Sequence, residues 1–405
     1  MAAVLLTGSY NGQDSLGDEC LLKATVERVR HHDSNASVVV HLHGTHTPFS
    51  CAYATSTNVT MKRGLQSAVS RGESLAERLR TPAFLAPPVK HLLSRCIARE
   101  AISDLKQSDA FFVFGGTQFA GQWYALNAPF YLESARIVRR NGGKVFFGPQ
   151  QYGPMADGSA AELRVALTNI VSDWRTRNRQ DAELLEPDVA SRESRVIYDE
   201  VFSNTRLYPS KIASKRARHI LFNLRLTTFD TDAPMAQEQF RAITGMMDEL
   251  SRTFDLPVIF FAVSDATFCD DNATLATVRK FSTIPDRFTS VGRVRNEHHL
   301  MELAQDAAVV VSMSFHGCIL SGIAGAPFVP IYEGQYYDYK YVDFDKYSGE
   351  QLVPMISLAK CDATRDAKLV ADYVSRFQIA RVQRTRERAC ALADEFYARA
   401  LDEVR

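Results

Sequence analysis

Three titratable side chains in this 405-residue sequence stand where an apolar run stops, and their types suit binding an anion and moving a proton. His316 closes the stretch VVVSMSFHG, and a small-residue run follows it to the turn Gly325-Ala326-Pro327, beyond which a second apolar run begins. A strand that enters a helix in this way points the helix's N–H groups and positive dipole end past the sheet edge. A histidine there combines affinity for negative charge with proton exchange near neutrality. Arg225 ends the run ILFNLR. A guanidinium is costly inside a core but well suited, at a cleft, to grip phosphate or carboxylate; its ordinary alternative is an interdomain salt bridge. Asp18, beside Glu19, opens an expected helix after TGSYNGQDSLG. An acid there favours the positive helix end with or without a ligand, and it is a candidate base.

Other residues suggest ligand approach less specifically. Gly17 and the pair Gly115-Gly116 let the backbone turn and come close to a bound group. Their spacing matches neither the dinucleotide-binding GxGxxG pattern nor a phosphate-binding P-loop, so neither class is supported. The run HLHGTH, His41 to His46, looks like the start of a metal motif. Thr45 stands where such motifs carry an acid and no downstream ligand set accompanies it, so no metal is expected. In FTSVGRVRNEHHL, Arg293 and Arg295 follow a short β-like run, ahead of a helix and in the same half of the chain as His316. They are candidate cations for an anion, or else solvated or paired with acids such as Glu297.

Bulk composition narrows the classes. Lys plus Arg equal Asp plus Glu at 47 each, so no global field draws the chain to nucleic acid or to an acidic membrane. The opening MAAVLLTGSY lacks a basic leader, and no apolar run approaches the ~20 residues of a spanning helix, so a cytoplasmic protein is expected. Seven scattered cysteines without CxxC spacing imply reduced thiols rather than a disulfide framework.

The elements that must position these residues are legible as alternating segments. Strand-length apolar runs (AAVLL, ASVVVHL, AFFVF, KVFF and RVIY, then HILFN, PVIFF, AVVVS and PFVPIY) are separated by longer segments with helical periodicity. That alternation predicts an α/β fold with parallel sheets and crossover helices. The unusual residues follow the carboxyl ends of the predicted strands, where open α/β sheets bind ligands. The expectation is two Rossmann-like domains whose parallel sheets face an interdomain cleft, over residues 1–205 and 206–365, with a basic linker at Ser203 to His219. Residues 366–405 read as helices that pack back across the domains. Asp18, Gly116, Gln150, Arg225 and His316 are expected to line one cavity.

Taken together, these stretches resemble the polysaccharide pyruvyl transferase family. Ser15-Leu16-Gly17-Asp18-Glu19 is similar to the family's Asn-x-Gly-Asp-Glu, with Ser15 in place of Asn. Phe114-Gly115-Gly116 corresponds to its Gly-Gly-Gly strand end, and Gln150-Gln151-Tyr152-Gly153-Pro154 to its Gln-Gly-Ile-Gly-Pro. Arg177 to Leu185 echoes its Arg-Asp-x-x-Ser-x-x-Leu-Leu. Arg225 matches the arginine that opens the family's second domain, and Tyr337-Asp338-Tyr339-Lys340 its Tyr-Asp-x-Lys. The family's Arg-x-His and Gly-x-Pro fall on Ser314-Phe315-His316 and Gly325-Ala326-Pro327. The departure is Ser314, which stands where the family has an arginine that helps hold the donor.

The resemblance implies a GT-B-like fold and transfer of a pyruvyl group from phosphoenolpyruvate to a sugar or glycan acceptor as a ketal, with no metal or cofactor. Catalysis then falls to His316 as acid, Arg225 as donor cation and Asp18 as base. Donor or acceptor contacts fall to Gly17, Gly115, Gly116, Gln150, Arg177, Ser314, Phe315 and Lys340, with Arg293 or Lys340 replacing the charge absent at Ser314. Acceptor choice is expected in loops such as Thr45 to Thr60. Two other readings stand beside it: a GT-B glycosyltransferase using a nucleotide sugar, and a non-catalytic relic that binds a glycan or a partner.

Overall fold

The structure, a computed structural model, describes residues 2–8, 15–42, 58–64, 98–121, 123–155, 158–209, 217–225, 235–263 and 274–405. The expected loop at Thr45 to Thr60 lies outside them up to residue 57, as do residues 210–216 of the expected linker. The chain forms two compact units, one of Met1–Gln13, Leu21–Glu200 and Ala391–Arg405, the other of Asp14–Cys20 and Val201–Cys390. The helix Leu16–His32 therefore begins in the second unit and continues in the first, and the last helix, Ile379–Asp402, likewise serves both.

In the first unit, β1 (Ala3–Thr7), β2 (Ser37–Leu42), β3 (Val59–Arg63), β4 (Ala110–Val113), β5 (Lys144–Gln150) and β6 (Asp173–Thr176) form one sheet in the order β3-β2-β1-β4-β5-β6. Every pairing is parallel. All four residues of AFFV in β4 are buried, as expected of a parallel strand covered on both faces, which needs a continuous apolar run rather than alternation. One side of the core gathers Leu5, Phe111, Val113, Phe119, Tyr131, Phe147, Tyr152 and Trp174.

In the second unit, β7 (His219–Asn223), β8 (Val258–Ala262), β9 (Phe288–Arg293), β10 (Ala307–Ser312), β11 (Phe328–Tyr332) and β12 (Ile356–Ser357) form another all-parallel sheet, ordered β12-β11-β10-β7-β8-β9. Helix Gln237–Phe254 buries Phe240, Ile243, Met246, Met247 and Leu250, an apolar stripe at helical spacing, and packs against helix Ala363–Arg376.

One expected strand did not form. RVIY makes only an isolated bridge, Val196 to Thr176, because β6, from the short polar run DWRT, occupies the sheet position beside β5. β3 and β12 were likewise unanticipated, being short edge strands with little apolar signal.

Candidate functional site

The sheet of the second unit starts at β7, winds outward to β8 and β9, and returns to place β10 on the other side of β7. This is the topological switch point of a doubly wound sheet, the place where open α/β sheets bind ligands beyond the carboxyl ends of their strands. Arg225 follows β7 and His316 follows β10, so both stand at that point. The two strand ends are tied together. Met313 N donates to Asn223 O at 3.1 Å, the Ser312 hydroxyl donates to Asn223 Oδ1 at 3.1 Å, and Asn223 Nδ2 donates to Phe261 O at 3.0 Å. Sequence reasoning passed over Asn223 and Ser312; a strand of apolar residues ending in a buried Asn is the signal that marks such a clamp.

Helix Phe315–Ala324 is set by its caps. Ser314 Oγ accepts from Gly317 N at 3.1 Å, and Gly325 closes the helix with φ of 96°, a left-handed conformation that favours glycine. Gly317 is needed for close approach, since a Cβ there would lie 2.6 Å from Ser312 Oγ. His316 is thus the second residue of a helix anchored at both ends, half-buried, with its ring edge-on to Phe315 at 5.4 Å. Two residues on, burial pushes the Cys318 thiol up, so it stays protonated and is no nucleophile.

His316 also meets the start of helix Leu16–His32. A Cβ at Gly17 would lie 2.2 Å from His316 Nδ1, so the imidazole rests against the glycine backbone. Leu16 N donates to Val263 O, just past β8, at 3.3 Å, fixing this helix start within the second unit. The second unit therefore brings Gly17, Asp18, Ser314, Phe315 and His316 to one place, with Asp18 half-buried in the first turn beside Gly17.

The cations divide by position. Arg225 is half-buried, and its Nη1 donates to the Tyr337 hydroxyl at 3.5 Å. Lys340 Nζ lies 5.4 Å from the Phe315 ring centroid. Arg293 closes β9, with β8 intervening between it and β7. Tyr341 donates its hydroxyl to Met313 O at 3.3 Å, and burial holds that phenol well above its usual range, so it stays a neutral donor.

The remaining expected residues belong to the first unit, where Gly115, Gly116, Gln150 and Arg177 come together. Gln150 is fully buried, its Nε2 donating to Val113 O at 3.2 Å and Phe114 O at 2.6 Å. Arg177 is 5% exposed and binds Asp199 Oδ2 at 2.6 Å and Gly116 O at 2.8 Å. Both residues thus hold the glycine-bearing strand ends in place. His41, the described histidine of HLHGTH, is buried with Nε2 3.2 Å from Asp104 Oδ2; His43 and His46 lie outside the described residues.

The profile of the polysaccharide pyruvyl transferase family matches residues 16–335, most of the chain. The protein belongs to the polysaccharide pyruvyl transferase family. It is accordingly a transferase, and the family match includes the helix start at Gly17 and Asp18 and every strand of the two sheets except β1 and β12. Among curated proteins, none matches the sequence significantly. Solved structures share the fold at low identity. A putative UDP-N-acetylglucosamine 2-epimerase from Listeria monocytogenes is 10% identical with a TM-score of 0.55, covering 98% of this chain and 94% of that one. Anabaena HepE in complex with UDP is 12% identical with a TM-score of 0.52, covering 100% and 99%. UDP-GlcNAc 2-epimerase from Neisseria meningitidis, bound to UDP-GlcNAc, is 8% identical with a TM-score of 0.54, covering 100% of both chains. This pyruvyl transferase family member has a GT-B-like fold of two six-stranded parallel sheets with flanking helices. Among its described residues, no helix is long and apolar enough to cross a membrane.

Proposed function

We propose that the protein transfers the pyruvyl group of phosphoenolpyruvate to two hydroxyls of a sugar, forming a ketal and releasing phosphate, with the donor held in the second unit. The observation that carries this reading is His316, seated on Gly17 at the switch point, in a chain of this family. Arg225 and the N–H groups of the helix at Phe315 provide positive charge for the donor's anionic groups. His316 gives a proton to the methylene carbon, which makes the adjacent carbon electrophilic. A sugar hydroxyl adds there while Asp18 takes its proton. The carbon–oxygen bond to phosphate then breaks, and the second hydroxyl closes the ketal. Of the two hydroxyl protons, one replaces that given by His316 and the other leaves with phosphate, so the step balances without an oxidant or cofactor.

A nucleotide-sugar glycosyltransferase is the second reading. It is favoured by Ser314, which carries no charge, and by the UDP bound to Anabaena HepE in a structure of the same fold. Thermal melting with each donor separates them, since a ligand at 100 times its Kd stabilises by about 2.7 kcal/mol. The expected result is a rise with phosphoenolpyruvate and none with UDP, together with phosphate release in the presence of saccharides. Stabilisation by UDP alone would overturn the pyruvyl reading. Stabilisation by neither, with His316→Ala indistinguishable from wild type in glycan binding, would point to the non-catalytic relic.

A further inference from the structure

We propose that His31, His32 and Asp394 form a zinc site that pins the C-terminal end of helix Leu16–His32 to the last helix, Ile379–Asp402. All three residues belong to the first unit. The proposal is independent of the pyruvyl-transfer reading and gives the ion no part in that chemistry, since His31 lies about four turns along its helix from Gly17.

One ring nitrogen of each histidine and one oxygen of Asp394 all lie within 4.8 Å of one another. A tetrahedral zinc ion with ligands at ~2.0–2.2 Å holds those ligands ~3.3–3.6 Å apart. His32 Nε2 and Asp394 Oδ1 are 3.5 Å apart, so two of the three already stand at that separation. His31 closes the remainder by a swing of roughly 1 Å. Its side chain is exposed and lies edge-on to the His32 ring, with 4.9 Å between centroids, so the movement takes place in solvent. Two imidazoles and one carboxylate suit zinc, and solvent supplies water for the fourth position.

Two features of the surroundings favour a metal ion there. The histidines occupy the last turn of their helix, where the negative dipole end and the terminal carbonyls attract a cation. Arg405 already exploits this end, its Nη2 donating to His32 O at 2.7 Å. Arg28, one turn before His32, is fully buried and its Nη1 donates to Asp394 Oδ1, which fixes the direction of the carboxylate as an outer-shell partner does. A carboxylate offers about four lone-pair sites, so it can serve the guanidinium and a metal together. The charge of Arg28 opposes a dication, so the affinity expected is about micromolar, weaker than at an all-thiolate structural site. A plain ion pair between His32 and Asp394 is the competing account. It needs a protonated imidazole and does not involve His31, whereas a metal needs neutral imidazoles and both histidines.

The test is a calorimetric titration of the full chain with zinc chloride, run at about pH 7.5 and about pH 5.5, beside thermal melts with and without the metal. Wild type should take up one zinc per chain, melt higher with it, and bind it more weakly at the lower pH. His31→Ala should weaken zinc by about 10-fold or more, at least the cost of losing an outer-shell contact. Its melting temperature without metal should match wild type, because His31 is exposed. His32→Ala should lose as much affinity, and cobalt(II) in the wild-type chain should show the visible absorption of a four-coordinate site that His31→Ala lacks. The proposal is overturned if wild type takes up no zinc at about 100 μM metal, or if binding strengthens at the lower pH. Unchanged zinc affinity in His31→Ala also overturns it, placing the ion elsewhere, as at the histidines of HLHGTH.

Discussion

Gly17→Ala should cripple turnover while leaving the protein folded. An ideal Cβ at this position would sit 2.2 Å from His316 Nδ1, 2.9 Å from Cγ and 3.0 Å from Cε1. Carbon pairs settle at ~3.5–4.0 Å, so the imidazole must retreat by more than ~1 Å. The atoms in the way belong to a side-chain ring, so rotation of His316 relieves the clash without moving a strand or helix. Residue 17 is already helical, and alanine is favoured over glycine in helix interiors by up to ~1 kcal/mol, with a smaller gain in the first turn. The melting temperature should therefore hold or rise. A catalytic group displaced by ~1 Å costs on the order of 10²-fold in rate, equivalent to about 2.7 kcal/mol of barrier. The assay is phosphate release from phosphoenolpyruvate with a saccharide acceptor, run beside a thermal melt and a donor titration. A variant whose kcat stays within about threefold of wild type would refute the reasoning, because His316 would not then act from its seat on Gly17. A large fall in melting temperature would show that the backbone, not the ring, absorbs the clash.

Two further outcomes follow from buried charges. Burial pushes the Glu200 carboxyl up to about 7 from an ordinary 4.5, against the pull of Arg28 and the Tyr397 hydroxyl, which donates to it at 2.6 Å. The folded chain thus holds a proton that the unfolded chain releases, so this group's contribution to stability is full below pH 4.5 and declines as pH rises toward 7. Glu200→Gln should flatten that part of a melting profile, and an unchanged slope would count against a protonated Glu200. Arg386, 1% exposed, donates to Phe202 O at 3.0 Å, Asn204 O at 3.3 Å and Tyr208 O at 2.6 Å. Arg386→Met strands those acceptors at roughly 1–3 kcal/mol for each one that stays buried, which should appear as a lower urea midpoint; a midpoint within error of wild type would show that water or other donors replace the guanidinium.

The sequence by itself determined the class of fold and the local form of the helix that carries His316. Runs such as HILFN and AFFV are buried on both faces, and parallel strands covered by helices require that pattern, so periodicity was sufficient to find them. The helix carrying His316 was equally legible, because Ser314 and Gly325 cap its ends through contacts only a few residues away. Where strands were short and polar, as in DWRT, no periodicity existed to read, and RVIY lost its sheet position to that run. Side-chain roles were harder. Gln150 and Arg177, beside glycine loops, have the composition of ligand contacts, yet burial among Val113 O, Gly116 O and Asp199 commits them to the fold. The meeting of Gly17 with His316, and of Tyr337 with Arg225 and Lys340, was decided only by tertiary structure. Local patterns report hydrogen bonding and burial within one element, whereas the order of strands in the sheet, set by packing of the whole unit, selects which strand ends become neighbours.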